Sequence, residues 1–359
     1  MNEAVVKTWR KHFERRGISR ELIESYLPYI QKLCKTSSPV IFEFEHLSLL
    51  IGVEQHELRK MVNAPHAFYR SFQIKKRSGG LRKICAPYPS MLMCQDWIYN
   101  NILINKPVHS AAHGFVPGRS IFSNASAHLN SKCLMKMDLK DFFPSIPINW
   151  VVNYFLSLGY ADNVSFYLAA LCCSEGRLVQ GSSTSPYLTN ILLKNLDERI
   201  SLLAKSYNLN FTRYADDLTF SGEYIPHKLI GVVTKIIVQY GLAVNDKKTR
   251  LQIGSNQRIV TGLSVAGSML AVPRTFKRDL KLELHFIKKY GYGSHVSKMK
   301  IRNPYYIESL IGKLNFWLQV EPSNMDALSG IKLLKGIQQG EISLLQRSVG
   351  DSDQLNLHA

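Results

Sequence analysis

The chain has 359 residues, with 45 Lys+Arg against 27 Asp+Glu, a formal net charge of +18. Hydrophobic residues make up 45% and aromatics 10%, which excludes a disordered or fibrous protein and leaves ample chain to bury a core. Such an excess of positive charge on a folded chain points to a polyanionic partner, of which nucleic acid is the simplest.

Met1–Ser19, MNEAVVKTWRKHFERRGIS, has no apolar core long enough for a signal peptide. The longest apolar run, near Val164–Cys173, falls well short of the ~18 residues that span a bilayer. The six cysteines (Cys34, Cys85, Cys94, Cys133, Cys172, Cys173) form no C-x-x-C pair, and the adjacent Cys172 and Cys173 suit neither a disulfide nor a zinc site. Reduced thiols, a cytoplasmic location and no membrane partner are therefore expected. Residues 1–65 read as a helical extension. Leu22, Tyr26, Leu27, Tyr29, Ile30 and Leu33 follow a rough helical period, and Glu45–Met61 gives a second helix.

Between Phe72 and Ala86 two extended segments, SFQIKKR and LRKICA, meet at Ser78-Gly79-Gly80, a hairpin signal. Lys75, Lys76, Arg77, Arg82 and Lys83 give this hairpin a positive charge that no acid offsets. Lys132–Asp138, KCLMKMD, reads as a buried strand ending on an acid. Pro147–Leu158 and Ser185–Ser206 are helical, the second with Ser185 as N-cap and Pro186 in its first turn. Phe211–Phe220 is a hairpin with acids at its tip. Leu229, Val232, Val233, Ile236, Ile237 and Tyr240 then share one helical face over 226–240, closed by Gly241. Ile259–Val265 and Met269–Val272 suggest a strand pair. From Pro273 to about Gln346 the pattern is helical, with nine Lys/Arg against two acids over 274–302, and the last dozen residues read as a frayed tail. The order is that of an α+β protein with segregated basic surfaces.

Tyr214-Ala215-Asp216-Asp217 is the most informative segment. Two adjacent carboxylates at a tight turn repel each other and raise each other's pKa, whereas ordinary hairpin tips prefer Asn-Gly or Asp-Gly. A bound cation removes the conflict. Asp138 ends an apolar strand 78 residues earlier, with Asp141 three residues beyond it. Three carboxylates from two neighbouring strands suit two Mg²⁺ ions ~4 Å apart, the clamp of in-line nucleotidyl transfer. An arbitrary Asp-Asp pair is more often a solvated loop, so the surrounding motifs must decide.

Leu134–Ile146 (LMKMDLKDFFPSI), Val179–Leu193 (VQGSSTSPYLTNILL), Arg213–Gly222 (RYADDLTFSG) and Gly241–Thr249 (GLAVNDKKT) resemble the successive palm motifs of reverse transcriptases. Asn124 to His128, an Asn-Ala-x-x-His element, and the Val-Thr-Gly of Val260–Gly262 resemble elements of the retron type. The resemblance covers Phe72 to about Val272 and implies a right-hand polymerase fold of fingers, palm (an antiparallel sheet plus helices) and helical thumb. The implied division is an N-terminal extension at 1–65, fingers at 66–132, and palm at 133–272 with part of the fingers around 160–180. A thumb follows at 273–346 and a tail at 347–359.

The resemblance assigns Asp138, Asp216 and Asp217 as metal ligands for two Mg²⁺ ions, with Mn²⁺ as a substitute. Lys248 becomes the general acid toward pyrophosphate, with Lys247 beside it as the alternative. Lys75 (or Lys76), Arg82, Asp141, Phe143, Gln180 and Gly181 would bind the nucleotide. Phe143 acts as the steric gate against a 2′-OH, and Gly181 lets the backbone approach the template–nucleotide pair. Arg119, Asn124, His128, Val260, Thr261 and Gly262 would lie at the RNA, although His128 fits a core histidine equally well. A retron enzyme copies a cognate non-coding RNA from deoxynucleoside triphosphates. It is primed by an RNA 2′-OH to give branched RNA–DNA (msDNA), in anti-phage defence beside an effector protein. Group II intron, diversity-generating and abortive-infection reverse transcriptases, or a non-catalytic RNA-binding scaffold, are the alternatives.

Overall fold

The computed structural model describes residues 2–75, 79–254 and 258–355, so Lys76, Arg77 and Ser78 of the hairpin turn lie outside the described residues. The chain separates into two compact units. The first comprises Met1–Ser120 and Cys133–Leu251; the second comprises Ile121–Lys132 and Gln252–Ala359. Ile121–Lys132, which the sequence reading groups with 66–132, thus clusters with the C-terminal residues.

In the first unit the N-terminal extension forms helices Asn2–Arg15, Arg20–Lys35, Phe44–Ile51 and Gln55–Asn63. Ser19 Oγ accepts from Leu22 N at 3.4 Å and starts the second of these. The single helix expected over Glu45–Met61 is broken at Gly52, whose φ of +80° ends helix Phe44–Ile51 in the left-handed conformation that glycine adopts freely. Lys106 Nζ, buried in the unit, donates to Ser38 Oγ at 2.9 Å and to the carbonyls of Thr36 and Ser37, tying the extension down.

Strands β1 (Tyr69–Lys75) and β2 (Leu81–Pro87) form the basic hairpin, paired antiparallel from Tyr69↔Pro87 to Lys75↔Leu81. Strand β3 (Cys133–Asp138) is buried except at Lys136. Short β4 (Cys173–Ser174) and β5 (Arg177–Leu178) pair with each other. The palm sheet has the order β6 (Asn210–Tyr214), β7 (Asp217–Gly222), β3, β8 (Arg250–Ile253). Helices Lys194–Ser206 and Lys228–Gln239 cover it through Leu196, Ile200, Leu229, Val233 and Ile237, which pack with Met135, Met137, Leu218 and Phe220. The helix expected over Ser185–Ser206 is two, Ser185–Leu192 and Lys194–Ser206, separated at Leu193. Thr184 rather than Ser185 occupies the N-cap position.

In the second unit, helix Ile121–Ser126 lies against β9 (Ile259–Val260) and β10 (Leu263–Ser264). The strand expected over Ile259–Val265 folds back on itself, because Thr261 and Gly262 both take positive φ, +44° and +85°, as a tight hairpin turn requires. Only the bridge Ser264↔Ala271 remains of the pairing expected with Met269–Val272. Helices Arg274–Tyr290, Tyr292–Lys298, Tyr306–Val320 and Met325–Leu355 follow. They close a core around Leu280, Leu284, Leu310, Leu314 and Trp317. The last helix continues into the segment expected as a tail.

All six cysteines are free thiols. Burial pushes those of Cys94 and Cys172 up to about 12 and raises that of Cys173. Among the described residues no helix is long and apolar enough to cross a membrane.

Candidate active site

Strand register assembles the acids. Asp138, the last residue of β3, pairs directly with Asp217, the first of β7. Tyr214 of β6 pairs with the same Asp217, so Ala215 and Asp216 alone make the turn. Ala215 takes φ +55°, which a residue with a Cβ adopts only under strain. The surroundings hold it there. Arg213 Nη1 donates to Ala215 O at 3.1 Å, while its Nε and Nη2 grip the two oxygens of Asp197, each at 2.6 Å. Both partners of that ion pair are fully buried. The 111–113 segment runs alongside, with Arg213 N donating to Ala111 O and His113 N to Arg213 O. Gly114 completes the cradle, since a Cβ there would come within 2.8 Å of Ala215 N. Its carbonyl accepts from Asn190 Nδ2 at 2.7 Å.

Burial raises Asp216 to about 6, and the charges of Asp217 and Asp138 add to it. Asp217 is raised as well, again by burial first. The sequence anticipates the direction, but desolvation outweighs the mutual repulsion invoked there. Asp138, 5% exposed, accepts from Lys248 Nζ at 2.7 Å through Oδ2 and from Asn245 Nδ2 at 3.2 Å through Oδ1. Burial opposes the Lys248 ammonium, yet the hydrogen bond to Asp138 and the three nearby carboxylates outweigh it and raise its pKa. Three hard oxygen donors with charge left over suit a divalent cation, and the Lys248 ammonium stands where positive charge belongs on Asp138. Among the described residues no three acids, histidines or cysteines stand close enough to hold an ion as they are. The acids would have to converge on one.

Phe142 is buried, while Phe143 is half-buried and meets Phe115 with ring centroids 6.5 Å apart. Phe115 in turn lies 6.3 Å from Tyr214. Asp141 is exposed, with φ +46°. Gln180 O accepts from Cys85 N at 2.8 Å, and a Cβ on Gly181 would lie 2.5 Å from Cys85 O. In this structure Gly181 thus allows the loop to touch β2 of the basic hairpin. Gln95, fully buried, braces the loop from below by donating to Leu171 O at 2.9 Å while its Oε1 accepts from Ser183 N at 3.3 Å. The sequence pairs Lys75 with Arg82, but the register sets Lys75 opposite Leu81 and Arg82 opposite Ile74, so the two cations leave opposite faces of the hairpin. Lys76, the alternative to Lys75, lies outside the described residues.

The family model for reverse transcriptase (RNA-dependent DNA polymerase) matches residues 74–267. The retron Mx65 reverse transcriptase of Myxococcus xanthus is 33% identical over 287 residues, covering 73% of this chain and 67% of that one. The retron Ec86 reverse transcriptase of Escherichia coli is 32% identical over 253 residues, covering 69% and 79%. This chain belongs to the retron-type reverse transcriptases. The retron Mx162 enzyme of M. xanthus is 36% identical over 286 residues, and there the chain spans 68% of itself and 59% of the relative.

In this reverse transcriptase the two retron elements meet within the second unit. Asn124 Nδ2 lies 3.4 Å from Thr261 Oγ1, which donates to Ile121 O at 3.1 Å. Asn124, His128 and Val260 are buried at 1%, 0% and 0% exposure, so their side chains are committed to the interior rather than offered to RNA. Thr261 is half-buried and Gly262 exposed at the tip of the turn. Arg119 is likewise engaged at home, its Nη1 lying 2.9 Å from His109 O and Ser110 O and close to Ala112 O. Arg213, Asp197, Gln95, Asn190, Phe115 and Asn245 lie outside the residue roles read from the sequence. Arg213, Asn190 and Asn245 fall within the motifs Arg213–Gly222, Val179–Leu193 and Gly241–Thr249, whereas Asp197 and Gln95 fall within none of them.

Proposed function

We propose that this RNA-directed DNA polymerase copies a cognate structured non-coding RNA into single-stranded DNA. Synthesis starts from an RNA 2′-OH and leaves a branched RNA–DNA (msDNA), and the enzyme serves in cytoplasmic anti-phage defence beside a separate effector protein. The retron character of the relatives supports the biology. The observation that carries the catalytic reading is the direct pairing of Asp138 with Asp217, with Asp216 beside them in a held turn.

Asp138, Asp216 and Asp217 hold two Mg²⁺ ions in this reading, with Mn²⁺ as a substitute. Bound there, the ions supply Lewis-acid activation of the attacking hydroxyl and neutralise the departing pyrophosphate. The remaining work falls to side chains. Phe143, backed by Phe115, lies under the sugar of a deoxynucleoside triphosphate and excludes a ribose by collision with its 2′-OH. Lys248, exposed over 55% of its side chain and held 2.7 Å from Asp138 Oδ2, is kept protonated by the acids around it, and in this reading its ammonium is the proton donor to pyrophosphate. Arg82 meets the triphosphate from the basic hairpin, whose opposite face carries Lys75, Gln180-Gly181 meets the template–nucleotide pair, and Asp141 borders the nucleotide. Thr261 and Gly262 meet the RNA, and Asn124 acts by shaping the turn that presents them.

Nucleic acid copurifying with the chain expressed from its native locus tests this. Wild type is expected to yield a discrete DNA band that RNase shortens, and Asp217→Ala none. RNA alone in both samples would leave a scaffold. DNA of scattered lengths without an RNA branch would keep the polymerase and end the primed, branched reading.

A further inference from the structure

Helix Arg274–Tyr290 buries Leu280, Leu284 and Ile287 in the core of the second unit. A stripe elsewhere on the helix, Leu282, Phe286 and Tyr290 at i, i+4 and i+8, is 53%, 37% and 54% exposed. From this stripe a ladder of near-parallel rings runs inward. Tyr290 and Phe286 have centroids 6.2 Å apart and planes 25° apart. His295 follows Phe286 at 6.4 Å and 18°, then Tyr306 at 5.9 Å and 19°. His295, 6% exposed, has Nε2 3.1 Å from Tyr306 OH.

The inner rungs are accounted for by packing between helices. The outer two are not, because they present flat apolar rings to solvent where a folded chain has every reason to cover them. The charge around them is one-sided. The two acids of the helix are engaged, Asp279 with Arg278 at 3.5 Å and Glu283 with Lys313 at 3.5 Å. Lys288 and Lys289 are exposed, and Lys289 Nζ stands 5.1 Å from the Tyr290 centroid. Exposed aromatic rings beside uncompensated lysines are what a single-stranded nucleic acid requires, since its unpaired bases stack and its phosphates take the positive charge. A double-stranded segment hides its bases and has no use for the rings.

We propose that Phe286 and Tyr290 form a stacking platform for unpaired nucleobases, extending the ring ladder outward by one or two bases while Lys288 and Lys289 receive the phosphates. The proposal rests on the assignment of the chain as a nucleic-acid polymerase. The bases could come from loops of the RNA or from the single-stranded DNA product, which share this chemistry.

The probe is an oligo-rU or oligo-dT of about 15 nucleotides, a length in the usual range of such sites, carrying one 2-aminopurine whose fluorescence falls on stacking. Wild type should bind and quench both probes. The stronger quench identifies the source as RNA or DNA. Phe286→Ala with Tyr290→Ala should bind about tenfold more weakly and lose the quench, Tyr290→Phe should keep both, and Tyr290→Leu should lose the quench with unchanged melting temperature. A blunt duplex of equal length should be bound alike by all variants. Undiminished affinity and quench in the double variant would overturn the platform, as would equal losses for single strand and duplex. Tyr224→Ala, which removes an exposed ring in the other unit, should match wild type. If the wild-type chain bound the duplex but neither single strand, the platform would fall while the polymerase assignment stood.

Discussion

Arg213 sits behind the acidic turn with every side of its guanidinium engaged, and this one residue couples the strain at Ala215 to the core through Asp197. Removing one partner of a buried ion pair leaves an uncompensated charge, so Asp197→Asn should cost about 3–5 kcal/mol in a denaturant titration. Arg213→Lys should fare little better, because an ammonium cannot reproduce the two-pronged grip on Asp197 and reach Ala215 O as well. A double Arg213→Met, Asp197→Leu variant separates the two roles of the pair. Its stability should recover most of the loss, while primer extension stays low because nothing holds Ala215 O.

Among the elements, the basic hairpin and the loop carrying Gln180-Gly181 are joined where Gly181, at φ +125°, touches the backbone of Cys85. Gly181→Ala adds a methyl group with nowhere to go and a conformation that alanine avoids. It should lower stability by about 1–3 kcal/mol, and kinetics with deoxynucleotides should show a raised KM as β2 is pushed aside. Helix Lys228–Gln239 was legible in the sequence from its single apolar face, and β3 and β7 from short apolar runs that are buried on both faces. The break at Leu193 was not, since leucine favours helix and only the packing of the two flanking helices bends the chain there. The acids were legible because chemistry, not packing, put them side by side. The opposite faces of Lys75 and Arg82 were hidden, as the pairing register depends on how the turn closes. The burial of Asn124 was hidden too, because it depends on Thr261, 137 residues away.

For the molecule as a whole, the second unit has a hydrophobic core of its own around Leu310 and Trp317, distinct from the cores around Phe155 and Phe220 in the first. Scanning calorimetry should therefore resolve more than one transition, with the calorimetric enthalpy exceeding the van't Hoff value. A single two-state peak would mean that the units melt as one. The sequence sets off a basic helical segment at 273–346, but the joining of Ile121–Lys132 to that unit shows only in the structure.

The thiols offer a practical consequence. Cys94, Cys133, Cys172 and Cys173 are shut away in the interior, while Cys34 and Cys85 are half-exposed. A maleimide dye applied to the native protein would select those two, and a Cys34→Ser chain would carry a single label on β2 at the residue that Gly181 touches. That fluorophore would report on the contact between the hairpin and the Gln180-Gly181 loop when a deoxynucleotide is added, with no cysteine introduced by design.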